Sequence, residues 1–400
     1  MTEEKNEGNS IEDSFHDCEV VSYSDYCMGI IRGEHLPTLI AFSSVNTPRG
    51  NFKPFKVIAE CSCNIIFVND SANNWYLKGV KGFGDEYKSS AKQIVDLARA
   101  IGNGQAITFG TSMGAYGALL YAAAGNADFC LAFGPEALLD LPGSRSAQHK
   151  DKDAQLPYSE LFHLINSSET PYYVFTSECD EVDMINALTL KAINNIHVVS
   201  VRGVEHPGIQ VFAEKAGVAE FIDRALLHPE SILEFDQRGS ILENEELIKD
   251  LWIAYGLKKD KNFRGYLEYL ESQMWKSYLN SAFMHRLGEA YYRNNNQTKA
   301  IECLEEAIRL DDLQYESYNL LGVIQRRRRQ FSEAEDNFLK SLSISPRNAF
   351  AHHNLGMLLL DTNRWSDAVL SFEKAVNINK GNTVFAKSLA DAKEKLLLST

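Results

Sequence analysis

Between residues 18 and 228, short β-branched or aromatic runs alternate with longer stretches whose apolar positions recur every three to four residues. The strand-like runs lie at 19–24, 28–32, 38–43, 64–69, 106–110, 129–133, 172–176 and 197–202. Helical spacing occupies 88–101, 113–124, 158–166, 184–194 and 209–227, with Gly, Asn and Asp at the joints. This alternation predicts an α/β domain over 18–228 with a mainly parallel sheet flanked by helices, its first two strands placed for an antiparallel pair. Residues 139–155 are polar, contain Pro142 and Gly143, and read as an excursion above the sheet.

The alternation stops at 229–243, a linker, and the remainder is helical. A period of 34 residues runs through it: Gly288, Gly322 and Gly356; Leu287, Leu321 and Leu355; Ala300, Ala334 and Ala368; Leu304, Phe338 and Phe372. Small residues let paired helices approach closely, and the large apolar columns fill the space between neighbouring pairs. These columns resemble the tetratricopeptide repeat, in three copies over 281–382, and imply an all-α solenoid. Residues 383–400 then form a capping helix, and 244–280, with Trp252 and Trp275, are an adaptor or a degenerate repeat. The polar, acidic residues 1–17 read as a disordered tail.

Composition narrows the function. The chain has 400 residues, 44% of them hydrophobic and 24% charged, which excludes a mostly disordered, collagen-like or multi-span membrane protein. Its net charge is −14, and residues 281–400 are nearly balanced, with 16 Lys/Arg against 15 Asp/Glu. The negative charge therefore resides in residues 1–280, at −15, and opposes binding to a phosphate backbone, so no nucleic acid is expected. The seven cysteines are odd in number and lack zinc-ligand spacing, so no metal is expected. With no signal-peptide pattern and no run long enough to span a membrane, a cytoplasmic protein with reduced thiols is the expectation.

The candidate chemistry centres on Gly110-Thr111-Ser112-Met113-Gly114, a Gly-x-Ser-x-Gly motif between a strand and a helix. In that context the serine stands on a sharp turn above the sheet, where crowding backbone demands small residues two positions away on either side. The segment resembles the nucleophile elbow of the α/β-hydrolase superfamily, over about residues 18–228. The resemblance implies Ser112 as nucleophile, His206 after the last strand as general base, and Asp180 after the preceding strand as the acid that orients the imidazole. Glu178 and Asp183 compete for the acid's place, and Asp183 fits an N-cap of a helix starting at Met184. It also implies an oxyanion hole from the N–H of Met113 and one from the loop after the third strand, assigned to Ser44. No cofactor is implied.

Trp75 and Tyr76 follow Asn69-Asp70 in a loop at the sheet's carboxyl edge, placed either to stack on a sugar or acyl group or to fill the core. Together with the elbow and the repeat tail, these residues resemble a bacterial group of surface-polysaccharide and glycoprotein biosynthesis, including accessory-secretion proteins proposed to acetylate adhesin glycans. That resemblance implies acyl transfer to or from a carbohydrate, on a small-molecule or glycan ester. In the repeats, helical register places Glu289, Tyr292, Asn319, Val323, Arg326, Phe350, His353 and Met357 along a groove suited to a protein or peptide partner. Two functions follow: a serine esterase or acyltransferase carrying a docking module, or a non-catalytic tetratricopeptide adaptor with a hydrolase-like domain.

Overall fold

The computed structural model describes residues 18–399 except 54, 216 and 277; the tail expected to be disordered lies outside the described residues. The chain divides into two compact units. The first takes in everything described up to Thr176, with Val182–Val199 and His206–Arg238; the second is Ser177–Glu181, Ser200–Glu205 and Gly239–Thr400.

The first unit is built on eight strands: β1 Glu19–Ser24, β2 Cys27–Ile31, β3 Thr38–Phe42, β4 Asn64–Val68, β5 Ala106–Thr111, β6 Phe129–Phe133, β7 Tyr172–Ser177 and β8 Ile196–Val201. They form one mixed sheet in the order β1-β2-β4-β3-β5-β6-β7-β8. β1 and β2 pair antiparallel, as do β2 and β4, while β4-β3-β5-β6-β7 are parallel throughout. Every residue of β3, β4, β5, β6 and β7 is buried, the continuous apolar run of strands covered on both faces. Pairing of Phe42 with Gly110 and of Gly110 with Ala132 brings the carboxyl ends of β3, β5 and β6 to one edge. The connection from β3 goes to β4 on one side and that from β5 to β6 on the other, so the order of strands switches direction between β3 and β5. Open α/β sheets bind ligands at such a switch point.

The helices of this unit are α1 Phe55–Ile58, α2 Tyr87–Ile101, α3 Met113–Gly125, α4 Arg145–His149, α5 Tyr158–Ser167, α6 Glu181–Leu190, α7 Gln210–Lys215 and α8 Gly217–Leu227. α2 buries Tyr87, Ser90, Ala91, Ile94, Val95 and Ala98, one stripe of an amphipathic helix. α3 is buried on all sides from Met113 to Ala123, and its glycines and alanines admit the aromatic rings around it. A Cβ on Gly117 would lie 2.4 Å from the Tyr76 ring. The helix expected over 209–227 is two, broken where Gly217 adopts φ 82°, a conformation that suits glycine.

The second unit is helical: α9 Glu245–Lys259, α10 Phe263–Gln273, α11 Ser281–Arg293, α12 Gln297–Leu310, α13 Tyr315–Arg327, α14 Phe331–Ile344, α15 Ala349–Asp361, α16 Trp365–Ile378 and α17 Thr383–Ser399. A Cβ on Gly288, Gly322 or Gly356 would lie 2.9, 2.6 or 2.7 Å from Leu304, Phe338 or Phe372, so three helix pairs close on the same contact. The turn inside each pair uses a left-handed residue, Asn295, Arg329 and Asn363, with φ of 62°, 62° and 60°. Lys261, at φ 58°, stands one 34-residue step earlier between α9 and α10. Ala254 and Leu270 occupy the Gly and Leu/Phe columns there, both fully buried, so 244–280 have the geometry of a further repeat.

Candidate functional site

Ser112 begins α3 directly after β5, at φ 56° and ψ −121°. A non-glycine residue in this region is strained, and such strain persists only where the surroundings over-determine it. Here Ser112 N–H donates to the Phe133 carbonyl at 2.8 Å while the Ser112 carbonyl accepts from Ala115 N–H at 3.0 Å. The flanking glycines are obligatory. A Cβ on Gly110 would come within 2.0 Å of the Gly114 carbonyl oxygen, and one on Gly114 within 2.2 Å of the Phe42 carbonyl oxygen. Both obstacles are backbone and cannot move aside.

His206 arrives at the same edge from the segment after β8. Its ring lies against Gly134, where a Cβ would stand 2.8 Å from the imidazole and where φ is 58°. Consecutive residues at the end of β6, Phe133 and Gly134, therefore hold the serine backbone and seat the imidazole. His206 Nδ1 is 2.7 Å from Asp183 Oδ1. A carboxylate there fixes the proton on Nδ1 and leaves Nε2 as the acceptor. Nε2 is buried and has no hydrogen-bond partner among the described residues.

The carboxylate on His206 thus belongs to Asp183, where the sequence favoured Asp180. The physical reason is the start of α6. It begins at Glu181 rather than Met184, so Asp183 is inside the first turn instead of capping it, with a fully buried carboxylate. Asp180 stands in the turn before the helix, half-buried. Arg145, at the start of α4, places its guanidinium 3.9 Å from both Asp183 and the buried Glu136. Glu136 in turn accepts the backbone N–H groups of Arg145 and Ser146 at 2.7 and 2.8 Å. The polar excursion over 139–155 therefore contributes a cation beside the acid, which the sequence did not single out.

At the end of β3, Ser43 N–H is committed to the Val68 carbonyl at 2.9 Å, and the Ser44 carbonyl accepts from Thr47 Oγ1 at 2.7 Å. Met113 N–H is a first-turn amide of α3. Trp75 and Tyr76 do not lie open for stacking on a substrate: both are fully buried. The Tyr76 hydroxyl donates to the Ser43 carbonyl at 2.7 Å, and Asp70 accepts Tyr76 N–H at 2.9 Å. Asn69 Nδ2 donates to the carbonyls of Pro48 and Asn51 at 2.8 and 2.9 Å. The Asn-Asp and Trp-Tyr pairs are a brace for the loop after β3, because a short loop over a parallel sheet needs buried partners for its carbonyls.

In the second unit, a cleft of about 370 Å³ is lined by Tyr292, Asn319, Val323, Phe350 and Asn354, with Glu205, Glu289 and Glu316 among its charged groups. Of the residues that helical register placed along a groove, Tyr292 and Asn319 are among those that line this cleft. Arg326 instead pairs with Asp361 at 2.7 Å. His353 turns to the terminal helix, its ring 4.8 Å from that of Phe385 and its Nε2 3.0 Å from Ser388 Oγ. The seven cysteines are all free thiols. Among the described residues no helix is long and apolar enough to cross a membrane.

Comparison with known proteins bears on the second unit. Models of the tetratricopeptide repeat match residues 281–313 and 315–348. The chain is 35% identical over 95 residues to the cell division cycle protein 27 homolog of Caenorhabditis elegans, covering 24% of this chain and 12% of that protein. It is 28% identical over 98 residues to anaphase-promoting complex subunit 3 of Schizosaccharomyces pombe, covering 24% of this chain and 15% of that one. The chain thus spans less than a sixth of either relative's length. Among solved structures, a crystal structure of MamA shares 22% identity at a TM-score of 0.32, over 36% of this chain and 83% of MamA. The first tetratricopeptide domain of Spaghetti, bound to an HSP90 peptide, shares 14% at a TM-score of 0.29, over 29% of this chain and 93% of that one. The C-terminal region is built of tetratricopeptide repeats, a module of protein–protein interaction.

Proposed function

We propose that this chain is an adaptor that holds a segment of another polypeptide in the groove of its repeats. The observation that carries this is the cleft itself, lined by side chains from the first helix of consecutive repeats: Tyr292 on α11, Asn319 and Val323 on α13, Asn354 on α15. Aromatic, amide and aliphatic groups in one concave surface offer a peptide both main-chain hydrogen bonds and side-chain burial. The anaphase-promoting complex subunit among the relatives carries a matching stretch, and its name places it in a multi-protein assembly. The test is panning of a random dodecapeptide library on the immobilised full-length protein. Binders are expected whose capture is lost in the Tyr292→Ala, Asn319→Ala double variant. No groove-dependent binder would overturn the reading.

A second reading applies to the first unit, and the backbone of Ser112 favours it. We propose a serine esterase or acyltransferase of the α/β-hydrolase type, with Ser112, His206 and Asp183 as its triad and a small-molecule or glycan ester as substrate. Asp183 holds the Nδ1–H tautomer, so His206 Nε2 takes the Ser112 proton as Oγ attacks the ester carbonyl. The N–H groups of Met113 and Ser44 stabilise the oxyanion. Nε2 then protonates the departing alcohol, and water or an acceptor hydroxyl releases the acyl group from Ser112. These steps require no cofactor. A fluorophosphonate should label Ser112 and nothing else, as read by peptide mass spectrometry, and Ser112→Ala should lose both the label and ester turnover. Turnover that survives in Ser112→Ala would overturn this reading and leave the adaptor alone.

A further inference from the structure

The repeat groove has a sign. Of its carboxylates, Glu289 is fully matched: Lys258 stands 3.0 Å away and Arg293 2.7 Å. Those are the cations lining the cleft, and both are committed. Glu316 is 2.9 Å from the buried Arg286, but Arg286 also pairs with Glu181, so one guanidinium serves two carboxylates. Glu205 has no ion pair within 4.0 Å among the described residues. Three carboxylates, Glu181, Glu205 and Glu316, thus stand against two guanidiniums, Arg286 and Arg347, and this end of the cleft carries an excess of negative charge.

No titrating base offsets it. His285 lines the same cleft, yet burial and the neighbouring Arg286 hold it down to about 3, so it is neutral at pH 7. Burial pushes the Glu205 carboxyl up to about 7; Glu316 on α13 adds to the rise and Arg347, after α14, opposes it. Tyr315, the remaining titratable neighbour on α13, is itself raised by burial and stays protonated. A negative end of this kind repels an acidic segment or a terminal carboxylate and attracts a cation.

The middle of the cleft offers amides. Asn354 Nδ2 donates to Asn319 Oδ1 at 3.0 Å and the Asn354 carbonyl faces the His353 ring, which leaves the Asn319 N–H groups for the C=O of a passing chain. At the far end the cleft turns apolar with Val323 and Phe350, the latter 61% exposed with its ring edge-on to Phe385 at 5.3 Å.

We infer that the groove selects a basic polypeptide segment, a Lys or Arg of the occupant entering beside Glu205 and Glu316, its main chain resting on Asn319. This rests on the adaptor reading and adds the chemistry of the partner. It also sets a pH dependence. The cation binds the ionised carboxylate, so affinity is full about one unit above pH 7 and falls as the pH drops through 7 and Glu205 takes its proton.

The experiment uses the dodecapeptides recovered on the full-length protein. The expected result is a Lys or Arg at one fixed position. A histidine-free member, followed by fluorescence anisotropy, should bind about tenfold more weakly at pH 6 than at pH 8. Glu205→Gln should weaken binding at pH 8 and flatten this dependence, and Glu205→Lys should shift panning towards an acidic residue at that position. Groove-dependent binders with no basic position, or a pH dependence unchanged in Glu205→Gln, would overturn the inference and leave the adaptor reading standing. No groove-dependent binder at all overturns both.

Discussion

Asp183 and His206 meet at 2.7 Å through the inner nitrogen of the imidazole, and Asp183 does so from inside the first turn of α6. A helix start positions a side chain more rigidly than a loop does, and a fully buried carboxylate holds one orientation. In Asp183→Asn the amide permits the wrong tautomer of His206. The expected loss is on the order of 10⁴ in kcat on a small soluble ester, with the fold retained. Asp180→Asn should lose less than about tenfold, since Asp183 still holds the ring. Steady-state kinetics of the two variants check this; the opposite ranking would return the acid's role to Asp180.

Gly134 supplies an independent probe of the same site. At φ 58° an alanine is strained, and its Cβ would press on the imidazole at 2.8 Å. The backbone term costs about 1–2 kcal/mol of stability. On the esterase reading, displacing the ring costs more in activity than in folding, because a shift of about 1 Å in a catalytic group costs on the order of 10²-fold in rate. Gly134→Ala should therefore stay folded by circular dichroism and react with a fluorophosphonate about a hundredfold more slowly. A labelling rate equal to that of the parent protein would separate His206 from the chemistry.

The strands were legible because a buried parallel strand has a continuous apolar run, and all eight expected segments pair in the sheet. The motif was legible because both its glycines answer to backbone, Gly110 to the Gly114 carbonyl four residues on and Gly114 to the Phe42 carbonyl at the end of β3. What escaped depended on distant partners. The start of α6 has two aspartates of the type that caps a helix, Asp180 directly before Glu181 and Asp183 before Met184, and Asp183 looks like the cap until His206 is seen beside it. Trp75 and Tyr76 are aromatic in a loop, and only the carbonyl of Ser43 shows that the loop is interior. The repeat before residue 281 was masked by Tyr266, which stands in the column that Ala300, Ala334 and Ala368 fill, its hydroxyl 3.0 Å from the Arg286 carbonyl.

The repeat columns predict a compensating pair. A Cβ on Gly322 would lie 2.6 Å from the Phe338 ring, a side chain that yields at a cost. Gly322→Ala should destabilise the second unit by about 1–3 kcal/mol. Phe338→Leu makes a cavity in the parent but gives the first repeat's solution, where Leu304 faces Gly288. The double variant should be more stable than the sum of the single losses by about 1 kcal/mol, within the range for residues in contact. Urea unfolding of the four proteins measures this; strict additivity would mean that the two side chains do not share the space.

His285 makes the repeats sensitive to acid. Its Nδ1 is 2.9 Å from Ser317 Oγ in the interior, and burial, aided by Arg286, depresses its pKa from 6.5 to about 3. The unfolded chain takes up this proton near pH 6.5 and the folded chain does not until about pH 3. Between those values the unfolded state binds more protons, so stability falls as pH falls. Glu205 acts in the opposite sense, since its carboxyl, raised from 4.5 to about 7, favours the folded state at the acid end of that window. A difference measurement removes it. In His285→Gln the imidazole is gone while Glu205 and the other groups remain. The stability gap between parent and variant should be full at pH 7.5 and shrink by about 1 kcal/mol for each pH unit below 6.5. Urea unfolding at pH 7.5, 6.5 and 5.5 gives the gap directly. A gap constant over that range would show that His285 is charged in the folded protein, paired with the Glu316 carboxylate 3.9 Å from its Nε2.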